Sequence, residues 1–273
     1  MNLTGLIELA EKKFKQILEE FFISVYNEKS LSSHGIDHHR RVWSYSKELL
    51  QLIPYKNTLH FFHLPSKLIL ASYLHDIGMS VDPGVNHGKQ SRDLCYQFLV
   101  RYNLPENDYH DVLEAIEYHD NKDYNTNTPV NDLLTLLSVS DDLDAFGFTG
   151  IFRYSEIYLT RGIDPENMGH LIRENAEIRF SNFTKTFGTF NEIVQKHKKR
   201  YEILDNFFNK YNKQVPSYHF GTKNPSGFCG VIEMLILIIK DKKEIKESYL
   251  EPDKYLIDPV IRWFFNGLAD ELS

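Results

Sequence analysis

The segment SYLHDIGM, residues 72–79, places a histidine and an aspartate directly after a run of apolar residues. That run predicts a buried helix over residues 66–78, which ends at Gly78, a common C-terminal stop. An ionised carboxylate among leucines and isoleucines costs several kcal/mol unless a positive group meets it. Asp76 therefore predicts a cationic partner inside the fold.

Three further stretches place metal-type ligands within apolar helical patterns. They are His38 in HGIDHHRRV (34–42), His119 in AIEYHD (115–120) and Asp141 in LLSVSDDLDAFG (136–147). Asp76 and Asp141 are best explained by a shared cation. Two imidazoles with two carboxylates suit a divalent first-row metal that keeps open positions for water and substrate. Any one of these residues alone is more often a surface residue or a helix cap, but the four together indicate a metal site.

Helical periodicity dominates the chain and predicts an all-α fold, without the short alternating strands of a β protein. Pro65 is expected between helices, as a helix breaker. Residues 1–211 are expected to form a helical core. Residues 212–273 are expected to form a connector and a small C-terminal extension, which would serve as a cap, a lid or an oligomer contact. Beyond 66–78, helices are predicted from about Asp37 and over 88–103, 106–120, 130–146, 151–160, 166–182, about 185–211 and about 258–271.

Composition excludes several classes of protein. The net charge of −7, without a long basic block, argues against nucleic acid as a partner. The two cysteines, Cys95 and Cys229, form neither a disulfide framework nor a zinc motif, which favours a reducing compartment. The charged N-terminus and the short apolar runs predict a cytoplasmic protein without a secretory signal or membrane span. The chain also lacks the motifs of serine hydrolases, P-loop proteins and Rossmann folds.

Three motifs follow one another along the chain: H-x-x-R-V at His38 to Val42, LHDIG (74–78) and SDDLDAFG (140–147). In this order they resemble the HD superfamily of metal-dependent phosphohydrolases, over roughly residues 20–210. Two later stretches, GFTGIFRYSEIYLTRG (147–162) and RENAEIRFSNF (173–183), also resemble a small bacterial branch of this superfamily that is thought to act on nucleotides.

The resemblance implies that His38, His75, Asp76 and Asp141 hold the metal, in agreement with the reading from charge burial. On a helix that starts near Asp37, His39 points about a quarter-turn from His38 and is expected at the surface. His34 lies near enough to approach the site without being required. Asp144 shares a face with Asp141 and is expected to have a catalytic role, orienting a ligand histidine or a substrate hydroxyl.

Two more histidines, His87 and His119, are expected to contact substrate or to act as acid and base, with a second-metal role as the alternative. Phosphate also needs cationic partners, and the candidates are Arg41, Lys89, Arg153 and Arg161, of which Arg153 and Arg161 are the weaker two. Arg41 has an equal alternative, a structural ion pair with a carboxylate.

These residues lead to the hypothesis of a metal-dependent phosphohydrolase that acts on a nucleotide or another small phosphorylated metabolite. The cofactor would be a divalent ion (Mn, Mg, Fe, Ni or Zn), with a second ion and a homo-oligomer left open. Two alternatives stay open as well: a di-iron oxygenase of the same fold, and a non-catalytic module that senses nucleotides.

Overall fold

The computed structural model describes residues 2–26, 31–54, 58–121, 131–241 and 258–272. These residues form eleven α-helices and no strand, so the predicted all-α class is confirmed. The helices are α1 Leu3–Val25, α2 Ile36–Leu52, α3 Leu59–Leu74, α4 His87–Arg101, α5 His110–Tyr118, α6 Leu133–Asp144, α7 Gly147–Thr160, α8 Pro165–Phe187, α9 Asn191–Gln214, α10 Gly227–Asp241 and α11 Pro259–Leu272.

The start of α3 differs from the prediction, because Pro65 lies inside this helix rather than before it. The helix begins after Thr58, whose hydroxyl accepts a hydrogen bond from the Phe61 amide at 3.4 Å. Phe61 and Leu64 are each 1 % exposed. Burial of these side chains offsets the backbone hydrogen bond that a proline cannot donate.

The end of α3 also differs, because the helix stops at Leu74 and not at Gly78. Asp76 already has φ −111° and ψ 9°, outside the helical region, and a short 3₁₀ turn follows at Ile77–Ser80. The Gly78 amide donates to Ser91 Oγ of α4 at 2.8 Å. A Cβ at position 78 would lie 2.3 Å from the carbonyl oxygen of His87. Gly78 is therefore required for close packing against α4.

The remaining predicted helices are present, with ends displaced by a few residues. The connector predicted over residues 212–230 is shorter than expected, because α9 continues to Gln214 and α10 begins at Gly227. Residue 130, at the start of one predicted helix, and residues 242–257 of the predicted extension lie outside the described residues.

The chain divides into two compact units. The first comprises Met1–Asp144 and Lys185–Phe190, and the second comprises Ala145–Thr184 and Asn191–Ser273. In the first unit α3 packs against α1, α2 and α6, and α4 packs against α5. In the second unit α7, α9, α10 and α11 pack together. The division into residues 1–211 and 212–273 stays a prediction.

Helix α1 covers one side of the first unit with an apolar stripe. Leu6, Ala10, Phe14 and Leu18 follow at intervals of four residues and are at most 4 % exposed. This spacing places them on one face of the helix, which packs on α3 and α2. Within the described residues, no helix is long and apolar enough to cross a membrane.

Candidate metal centre

Four buried side chains converge from three parts of the first unit. One donor atom from each lies within 4.8 Å of the others, as ligands of a single ion would. His38 is the third residue of α2, His75 and Asp76 follow the end of α3, and Asp141 lies on α6. These are the four residues that the motifs predicted as metal ligands.

A second group of possible ligands adjoins the first and shares Asp76 with it. This group consists of Asp76, His87 and His119, again with donor atoms within 4.8 Å. His87 begins α4 and His119 is the C-cap of α5. Both were predicted as site residues, and the structure brings both to the carboxylate of Asp76.

The two oxygens of Asp76 face different groups. Oδ2 lies 3.5 Å from the Nε2 atoms of both His38 and His75. Oδ1 lies 3.1 Å from His119 Nε2 and 3.5 Å from His87 Nε2. A carboxylate with one oxygen toward each group has the geometry needed to bridge two cations.

The histidines of both groups are anchored through Nδ1, so that Nε2 faces the centre. The Nδ1 atom of His75 donates to the Ser72 carbonyl at 3.0 Å. The corresponding donations run from His87 to the Gly84 carbonyl at 2.8 Å and from His119 to the Ile116 carbonyl at 2.7 Å. Because a carbonyl oxygen only accepts, the proton is on Nδ1 in each ring, and a neutral ring then has its lone pair on Nε2.

His38 and His75 supply the test of whether a metal fits. Their Nε2 atoms are 3.2 Å apart. His38 Nδ1 donates to the carboxylate of Asp144, so in the neutral rings both Nε2 atoms are acceptors and repel each other. Two imidazole nitrogens on one ion, each about 2.1 Å from it, lie about 3.0–3.4 Å apart. The spacing and the donor types therefore fit a shared metal ion.

Charge within the centre favours an ionised Asp76. Burial alone would raise the pKa of this carboxyl, but the electrostatic interaction with His75 and the hydrogen bond from His119 Nε2 hold it well below its usual value. Burial lowers the pKa of His119, but the hydrogen bond to Asp76 and the charges of Asp76, Asp120 and Asp141 together outweigh burial and raise that pKa to about 9. A metal ion and a proton on His119 therefore compete for the same carboxylate.

Asp144 lies behind His38 and is fully buried. Its Oδ2 accepts from His38 Nδ1 at 2.8 Å, and both oxygens accept from Arg41, through Nε at 2.7 Å and Nη2 at 3.0 Å. This geometry favours the orienting role predicted for Asp144 over direct contact with substrate. For Arg41, the structure shows the structural ion pair, and a phosphate contact stays a prediction.

The expectation that His39 lies at the surface is wrong. Its side chain is completely buried, with its ring centroid 4.6 Å from that of Phe22 on α1 and 5.1 Å from that of His75. Burial, followed by the charges of His38 and His75, holds the pKa of His39 well below its usual value. The periodicity of α2 alone could not reveal this, because α1 covers the side of α2 that carries His39.

His34 approaches the centre, as the sequence allowed. It lies in a 3₁₀ turn before α2 and is 1 % exposed. Its Nε2 is 3.7 Å from Asp76 Oδ2, and its Nδ1 is 2.8 Å from Ser33 Oγ. Only three residues separate His34 from His38 in the sequence, and this short separation indicated that His34 lies near the centre.

The other predicted phosphate ligands are not part of either donor group. Lys89 is exposed in the first turn of α4, two residues after His87. Arg153 is buried on α7, in the second unit, and Arg161 is exposed as the C-cap of that helix. Their roles stay predictions.

Comparison with known proteins agrees with this geometry. Residues 35–145 match the family model of the HD domain, and this range contains both donor groups. This match confirms the resemblance to the HD superfamily over residues 35–145, whereas the resemblance to the small bacterial branch stays a prediction. No curated protein and no solved structure matches the chain.

Proposed function

We propose that this HD domain is a metal-dependent phosphohydrolase that acts on a nucleotide or another small phosphorylated metabolite. The observation that carries the proposal is the position of Asp76, whose two oxygens face two groups of buried metal-type ligands. HD domains are generally associated with metal-dependent phosphohydrolase activity. The nucleotide preference comes from the motif resemblance alone.

In this proposal His38, His75, Asp76 and Asp141 hold one divalent ion, and Asp76, His87 and His119 hold a second. Such ions supply Lewis-acid stabilisation of phosphoryl oxygens and lower the pKa of bound water. A second ion at His87 and His119 differs from the acid–base role that the sequence favoured for these two residues. It is supported by the shared carboxylate and by the Nδ1 anchors of both rings.

The protein's own residues fix the donor atoms before substrate arrives. Backbone carbonyls hold His75, His87 and His119, while Asp144 holds His38. Because these partners are buried or belong to the backbone, the donors need little reorganisation, which is what electrostatic stabilisation of developing charge requires. In this proposal Asp144 is a positioning residue.

Substrate is proposed to enter on the side of His87. The His87 Nε2 atom is 4.0 Å from Asp120, whose side chain is 40 % exposed, so the centre adjoins solvent there. Lys89, exposed on the first turn of the same helix, is available to a phosphate on this side. The backbone amides at the start of α4 also favour an anion.

A metal-by-substrate screen tests the proposal. Protein stripped with a chelator would be reloaded with Mn²⁺, Mg²⁺, Fe²⁺, Ni²⁺ or Zn²⁺ and assayed for release of inorganic phosphate from nucleotides and phosphorylated metabolites. We expect release only with metal, and two ions per chain. One ion per chain with full activity would return His87 and His119 to an acid–base role. Equal phosphate release by the stripped protein would contradict the proposal.

Two other functions predict different results in the same assays. A di-iron oxygenase could use the same pair of donor groups, and it would show two irons per chain with substrate-dependent oxygen consumption and no phosphate release. A non-catalytic sensor would bind a nucleotide tightly without turnover.

A further inference from the structure

The three helices that supply the first donor group are joined behind it by three buried serines. Ser46 lies on α2, Ser72 on α3 and Ser140 on α6, and all three are 0 % exposed. Ser46 Oγ is 3.0 Å from Ser72 Oγ and 2.9 Å from Ser140 Oγ. Ser46 is therefore the centre of a hydrogen-bonded link among the three helices.

The direction of these bonds follows from counting protons, because each hydroxyl has one proton to donate. Ser140 Oγ donates to the Leu136 carbonyl at 2.7 Å, so it accepts from Ser46. Ser46 has then used its proton, so Ser72 must donate to Ser46. The result is a single chain of hydroxyls that runs from Ser72 through Ser46 to Ser140 and ends on a backbone carbonyl.

Each serine is connected to a proposed ligand through its own stretch of helix. Ser140 directly precedes Asp141, and the carbonyl of Ser72 accepts the Nδ1 proton of His75. Ser46 lies two turns along α2 from His38. A slide of α2 against α3 or α6 would therefore break the hydroxyl chain and change the 3.2 Å spacing of the two histidine Nε2 atoms together.

We propose that Ser46, Ser72 and Ser140 are positioning residues, which act as one unit to fix the spacing of the metal donors. This inference rests on the metal centre of the proposed function. It goes beyond that function because it assigns the precision of the centre to hydroxyls that touch neither metal nor substrate. Hydrogen-bonded hydroxyls in a chain reinforce one another, so loss of the middle one should remove the whole effect.

The test uses Co²⁺ binding to metal-free full-length protein, followed by titration and by the visible absorption of the bound ion. For Ser46→Ala we expect about tenfold weaker binding and an altered Co²⁺ spectrum, in the range seen when partners of metal ligands are lost. The matched control is Ser155→Ala. Ser155 is also 0 % exposed and donates to the carbonyl of Ile151 at 2.6 Å, but it lies in the second unit.

A double-mutant cycle separates a linked chain from independent packing. Ser72→Ala alone should weaken Co²⁺ binding, yet add nothing to the effect of Ser46→Ala, because the Ser72 hydroxyl acts through Ser46. Additive losses, or a Ser46→Ala protein with the Co²⁺ affinity and spectrum of Ser155→Ala, would overturn the inference. If Ser46→Ala does not fold, Ser72→Ala against Ser155→Ala decides by the same two readouts. A wild-type protein that binds no Co²⁺ would overturn the metal centre and this inference together.

Discussion

Asp144 accepts hydrogen bonds from two side chains, His38 at 2.8 Å and Arg41 at 2.7 Å, while its own side chain is completely buried. The guanidinium compensates the buried charge, and the carboxylate in turn fixes the ring of His38. A proposed metal ligand is thus held by two residues that belong to neither donor group. Partners of this kind usually contribute strongly to metal affinity.

Replacement of Asp144 by asparagine should weaken metal binding by about 10–100-fold, because the amide cannot pair with Arg41 and holds His38 less firmly. Isothermal titration of the metal-free protein measures this change. Asp205→Asn is the matched control, since Asp205 accepts from Arg173 at 2.7 Å in the second unit. Equal metal affinities in the two variants would contradict the role given to Asp144.

The four residues of the first donor group could be chosen from the sequence, because charged side chains in apolar helices require a partner and the motif order supplied the set. The neighbours that each side chain contacts were less predictable. His39 was misplaced because its burial depends on α1, which packs against α2 from elsewhere in the chain. The pairing of Arg41 with Asp144 joins residues about a hundred positions apart, so local spacing could not choose it over a phosphate contact.

At the scale of elements, the second donor group depends on how closely α4 approaches α5. A Cβ added at Gly88 would lie only 2.5 Å from the carbonyl oxygen of Glu117, two residues before His119. Gly88 directly follows His87. The absence of a side chain at position 88 therefore lets the two helices bring His87 and His119 to the same oxygen of Asp76.

Gly88→Ala should push α4 from α5, with a loss of about 1–3 kcal/mol in the free energy of unfolding, as for other overpacked sites. It should also reduce bound metal from two ions per chain toward one, because only the second group is disturbed. Urea unfolding and elemental analysis measure the two effects. Gly35→Ala is the control, since its Cβ would lie 3.5 Å from the nearest atom. Two retained ions in Gly88→Ala would contradict the role given to Gly88 in spacing the second donor group.

The ends of α3 show why element boundaries were harder to predict than element types. Local rules placed Pro65 before the helix and Gly78 at its end. Burial of Phe61 and Leu64 extends the helix through Pro65, and the contact of Gly78 with α4 ends it early. Both corrections come from tertiary packing, which a local pattern does not contain.

At the scale of the whole molecule, metal binding by these buried carboxylates and imidazoles would be linked to folding. An ion that binds the folded chain and not the unfolded one stabilises it by mass action, by about 2.7 kcal/mol at a hundredfold excess over Kd. Removal of metal by a chelator should therefore lower the midpoint of urea unfolding, and metal added back should restore it. The Asp76→Asn protein should show no such change, since Asp76 belongs to both donor groups.

Phosphate release as a function of added metal tests the central claim most directly, with metal-free wild-type protein compared with Asp76→Asn. The account predicts that wild-type activity rises with metal and saturates near two ions per chain, while Asp76→Asn binds neither ion and releases no phosphate above background. Phosphate release by Asp76→Asn at the wild-type rate, or by wild-type protein held free of metal, would contradict the account.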